Sequence, residues 1–85
     1  MSFKWRMQAI SNDGKRMYKE VVEEFFPYLG LALRGYVGSH EMKVSNVVWD
    51  GSVRLARIST VIMSEVLPDS KEFEELGWQV IAPIQ

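Results

Sequence analysis

Nucleophilic catalysis needs a hydroxyl or thiol beside a base that a third group orients, and this chain supplies few such sets. Cysteine is absent and His40 is the single imidazole. Its neighbours Ser39 and Glu41 cannot form the array with it locally, because adjacent side chains of an extended segment diverge. A distant Asp13 or Asp50 could complete a triad, but no spacing asks for one, so His40 reads as an exposed loop residue. Without thiolates there is no disulfide staple, and a structural zinc site built from one histidine and carboxylates would be unusual. The residues imply no metal and no cofactor.

The carboxylates cluster at Glu20, Glu23 and Glu24 and again at Glu72, Glu74 and Glu75. Both groups read as the wet sides of amphipathic helices, where water keeps acids ordinary. Glycines 30, 35 and 38 lack the GxxxxGK[ST] or GxGxxG spacing of a phosphate loop. An enzyme is therefore not expected.

Binding has more to work with. Lys4, Arg6, Arg54 and Arg57 could meet phosphates on an open sheet, which makes nucleic acid the second reading. Stacking platforms for single strands also need exposed rings among the cations. In the first strand Phe3 and Trp5 alternate away from Lys4 and Arg6, and the net charge of the chain is −1. The signal is weak on both counts.

The first reading starts from EEFFPYLGLALRGYVG, residues 23–38, which gathers aromatic and aliphatic side chains around Pro27. From Phe25 to Leu33 the chain carries no charge. A helix that is apolar all round must be buried on all sides, yet in a two-layer domain a helix meets its sheet on one side only. Phe26, Tyr28, Leu29 and Leu31 are the residues expected to meet something else, as apolar clusters rimmed by charge mark interaction sites. The expectation is a protein partner and a second copy of the chain, as a homodimer.

The elements that would position these residues follow from periodicity. FKWRMQAI alternates like a strand with one wet face, and SNDG has turn chemistry. From Lys15, Met17, Val21 and Phe25 recur every four residues and predict an amphipathic helix, ended or kinked by Pro27 and reaching about Arg34. EMKVSNVVW and SVRLARISTVIM flank Asp50-Gly51, which predicts a hairpin with a two-residue loop. A helix over 53–66 competes there, because Leu55, Ile58, Ile62 and Val66 also keep helical spacing, but β-branched density favours strand. Asp69-Ser70-Lys71-Glu72 has the form of a helix cap, Gly77 of a helix stop, and WQVIAPI of a closing strand with Pro83 at an edge.

The order strand, helix, strand, strand, helix, strand predicts an α+β domain of the split βαβ, ferredoxin-like kind, with a four-stranded antiparallel sheet and two helices on one face. Eighty-five residues suffice for one core, so residues 1–85 read as a single domain. A chain this short hides only about 60 to 65 per cent of its unfolded surface, which makes self-association a natural reinforcement. Nine Lys and Arg against six Asp and Glu up to residue 57, then one against five, either build a basic face or interleave in the fold. No secretory signal and no apolar run near the ~20 residues of a membrane span occur, so a soluble, cytoplasmic protein is expected.

Overall fold

The computed structural model describes residues 2–81. They form six strands and one short helix: β1 Phe3–Ile10, β2 Arg16–Glu23, β3 Ala32–Arg34, β4 Glu41–Asp50, β5 Leu55–Ile62, α1 Ser70–Glu75 and β6 Gln79–Val80. All strands belong to one mixed sheet in the order β3-β4-β5-β1-β2-β6, antiparallel except that β1 and β5 run parallel. The expected α+β, ferredoxin-like arrangement is thus corrected to a mostly β fold with six strands in place of four and one helix in place of two.

The largest correction is residues 15–34, expected as a helix. Ser11 closes the turn that follows β1 by donating its N–H to the Lys15 carbonyl (2.9 Å) and accepting from Lys15 N–H on its hydroxyl (3.1 Å). The chain therefore returns as a hairpin, with Ile10 opposite Arg16 and Phe3 opposite Glu23. A spacing of four residues lies on one face of a helix and equally on one face of a strand. Met17 and Val21 accordingly face the core from β2, while Tyr18 and Val22, beside Met17 and Val21 on a helix, point to the opposite side of the sheet.

After β2 the chain must reach β3 at the far edge of the sheet, four strands away. Residues 24–31 make that crossing over one face: Phe26 packs edge-on against Phe3 and Phe25 against Trp5, each with ring centroids 5.8 Å apart. Pro27 is fully buried there. The uncharged stretch is thus no helix: residues 25–31 form a lid on the sheet, and Ala32 and Leu33 enter β3.

The Asp50-Gly51 hairpin forms with a longer loop than expected. Asp50 remains in β4 opposite Leu55, and residues 51–54 make the turn. The Asp50 carboxylate accepts from Ser52 N–H (3.0 Å) and Ser52 Oγ (2.6 Å), a local turn lock, and Arg54 takes a left-handed φ of 53° to re-enter the ladder. A bulge falls between Val44 and Asn46. The competing helix over 53–66 is excluded by β5, whose ladder to β4 continues as far as Met63 N–H to Glu41 O.

The second helix forms as its caps predict. Asp69 accepts from Glu72 N–H at 2.8 Å. At the other end Gly77 N–H bonds Glu74 O and Trp78 N–H bonds Phe73 O, the double bond of a Schellman stop, which Gly77 permits at φ 90°. Phe73 and Trp78 meet edge-to-face at 5.0 Å, and Trp78 Nε1 donates to Tyr36 O. The closing strand expected from Trp78 is limited to Gln79–Val80 among the described residues; Pro83 lies outside them.

Trp5, Met7, Met17, Met42, Val44, Ile58 and Phe73 are buried in one cluster on the face covered by the crossover and α1. Among the described residues no further layer covers the other face.

Candidate interaction surface

Two of the four residues expected at a contact patch serve the fold. Phe26 stacks on Phe3, and Leu31 is half-buried against the core, its carbonyl accepting from Val44 N–H at 2.9 Å. The other two are free. Leu31 N–H bonds Tyr28 O across a turn whose third residue, Gly30, has φ 88°, a conformation that side chains rarely adopt. The turn throws Leu29 to its tip, leaving Leu29 69 % and Tyr28 62 % exposed.

Leu29 and Gly30 then meet Lys43, Val44, Ser45, Val61 and Met63 around a shallow cleft of about 390 Å³. Lys43 is its one charged lining residue, and Val61 and Met63 are more than half exposed. These two were not legible as site residues: Val61 alternates with buried neighbours, and only the sheet order brings it beside residue 29. Further along β4, Val48 and Trp49 are exposed on opposite faces of the strand, Val48 on the face of Arg57 and Trp49 on that of Ala56. With Val61 and Met63 the apolar surface around Leu29 extends past the predicted patch.

The basic set is partly gathered. Arg6 and Arg57 are direct neighbours across β1 and β5, and Lys4 shares their face. Arg54 sits apart in the turn. Each of the three gathered cations has an acid: Glu20 lies 2.7 Å from Arg6 and 3.6 Å from Lys4, and Asp50 lies 3.2 Å from Arg57. The Arg6 guanidinium holds Glu20 below the usual carboxylate range, and Ser52 with its backbone does the same for Asp50. The one ring on this part of the face, Tyr18, lies under Arg6 at 4.6 Å. Each of these cations thus faces an acid, and the ring faces a cation.

His40 is half-buried instead of exposed. Its Nδ1 pairs with Ser64 Oγ at 2.8 Å and its Nε2 lies 3.7 Å from Glu72. The three residue types are those of a nucleophilic triad, but the carboxylate is beyond hydrogen-bond reach. The cluster joins the loop before β4, the loop after β5 and α1. Asp13 works similarly, accepting from Ser11 Oγ (2.6 Å), Ser70 N–H (3.0 Å) and Ser70 Oγ (2.6 Å), which holds its carboxyl far below the ordinary value. Burial and the nearby Glu23 carboxylate push the Tyr36 hydroxyl up to about 12. Among the described residues no cluster of three metal-ligating side chains occurs and no helix is long and apolar enough to cross a membrane.

In comparison with known proteins, no family model matches the chain, and no curated protein or solved structure matches it.

Proposed function

We propose that the chain is a non-enzymatic interaction module of the cytoplasm that self-associates and modulates a protein partner through the apolar surface around Tyr28 and Leu29. The observation that carries this reading is the turn at Tyr28–Leu31, which holds Leu29 outward beside Val61 and Met63 although Pro27 and Leu31 on either side pack inward. An apolar cleft flanked by a lysine suits another protein's side chains, and the energy available from two or three buried residues, ~1.5 to 3 kcal/mol each, matters for so small a domain.

Sedimentation at micromolar concentration is expected to give an oligomer, and Leu29→Asp to shift it toward monomer while leaving the circular-dichroism spectrum folded. The charge is harmless on a solvated turn and costly in a dry contact. A species that stays monomeric at every concentration and is indifferent to Leu29→Asp overturns the self-association.

Nucleic acid is the alternative partner, favoured by one observation, the convergence of Lys4, Arg6 and Arg57 on the uncovered face. It predicts oligonucleotide binding that weakens with salt at a log–log slope of about −1 per phosphate contact and flattens in Arg6→Ala with Arg57→Ala. The expected result is no such binding below micromolar.

A further inference from the structure

We infer that self-association runs through the free outer edge of β4, residues 45–50, which pairs antiparallel with the same segment of a second copy about a two-fold axis at Val48. The inference rests on the reading of the chain as a self-associating module and names the surface that does it.

The edge follows from the lengths of the strands. β3 covers β4 only from Glu41 to Lys43, and the Tyr28–Leu31 turn extends that cover to Val44, whose C=O and N–H bond Gly30 and Leu31 at 2.9 Å each. Beyond Val44, β4 has no described neighbour on that side, while β5 pairs with its inner side to Asp50. Protected edges carry Lys or Pro or are very short. Ser45-Asn46-Val47-Val48-Trp49-Asp50 has one charge, at its end, and includes Trp49 at 60 % exposure.

The bulge decides which groups are offered. Val44 directs its backbone groups outward, and in an antiparallel ladder outward and inward residues alternate. One extra residue between Val44 and Asn46 shifts that alternation, so the outward N–H and C=O beyond it belong to Val47 and Trp49. A second copy satisfies both in one register: Val47 opposite the second copy's Trp49, and the reverse, with Val48 opposite its own equivalent. This places two Val–Trp pairs on one face and a Val–Val contact on the other, with Asn46 opposite Asp50 and no like charges facing. Aromatic with β-branched pairs are the favourable cross-strand combination. The pairing stops where it should. The second copy's residues 51–54, with exposed Val53, arrive beside the turn that carries Leu29, so the apolar cleft becomes the flank of the contact.

The chain's lack of cysteine makes the test clean. Residues facing each other across a non-hydrogen-bonded antiparallel pair have Cα atoms about 4.5 Å apart, within disulfide reach. Val48→Cys is therefore expected to cross-link to a dimer under mild oxidation, and Leu29→Cys not. Val47→Pro, at an outward-facing edge position, should keep a folded spectrum and weaken dimerisation at least about tenfold. Trp49→Lys, which alters no backbone group, should do the same should the proline variant misfold. A wild-type oligomer with uncrosslinked Val48→Cys, or one unchanged by Trp49→Lys, overturns the edge pairing and leaves the interaction module standing. A wild-type monomer at all concentrations overturns both.

Discussion

The two faces of β1 carry opposite solutions to the same sheet. On one, Trp5, Met7 and Ala9 meet Phe25, Tyr36 and the α1 layer and are excluded from water. On the other, Lys4 and Arg6 share Glu20 in solvent, and Gln8 is half-exposed. Alternation within one strand sorts them, and the crossover from β2 to β3 seals one face alone. The consequence is that stability should live on the odd-numbered side of β1 and charge chemistry on the even-numbered side.

Met7→Ala is the strongest test of that division. Met7 has no exposure and lies opposite Ile58 in the parallel pair. Loss of its side chain should cost about 2 to 5 kcal/mol, read from denaturant midpoints, because a central strand cannot collapse around the cavity. A loss near zero would show that the covered face is loosely packed.

Asp13→Asn probes how the covering layer is tied to the sheet, since Asp13 links the β1–β2 turn to Ser70 at the start of α1. Its carboxyl is depressed in the folded state, first by the Ser11 and Ser70 hydroxyls. The stabilisation is therefore complete above about pH 4, the ordinary aspartate range of the unfolded chain, and disappears as pH falls through the depressed value. The variant should melt lower at neutral pH, by less than Met7→Ala, and lose part of the acid-induced fall in stability. An unchanged acid limb would remove Asp13 from this role.

The smallest effect belongs to the open face. Arg6→Ala breaks the contacts with Glu20 and Tyr18, both partly in solvent. Pairs this exposed contribute about 1 kcal/mol or less, and salt should erase most of the difference. A loss matching that of Met7→Ala would mean that the open face is covered in solution, which would point back to the β4 edge or to a further partner.

Much of this molecule was legible one element at a time. The alternation of FKWRMQAI, the turn at Asn12–Gly14, the strands on either side of Asp50-Gly51, the Asp69 cap and the Gly77 stop all formed, because each is settled by neighbours within a few residues. The Tyr28 exposure was also legible, as an excess of apolar surface without a place to go, whereas a helix would have let Leu29 face inward and only the turn at Gly30 puts it outside. The residues around them, Val61, Met63 and the β4 edge, were not, since they come from distant strands.

What the sequence alone determined is therefore local: polarity patterns, caps and turns, whose energies depend on short-range geometry. Only the tertiary structure decided that residues 16–23 are a strand, because a four-residue apolar spacing fits helix and strand alike and the choice falls to the ladder with β1. It also decided that Phe25, Phe26 and Pro27 cross the sheet instead of continuing a helix, since Trp5 and Phe3 offer aromatic contacts that no local pattern announces. Nor could any local signal place β5 parallel to β1, because that pairing joins residues about fifty positions apart and is settled by which apolar faces can be buried together.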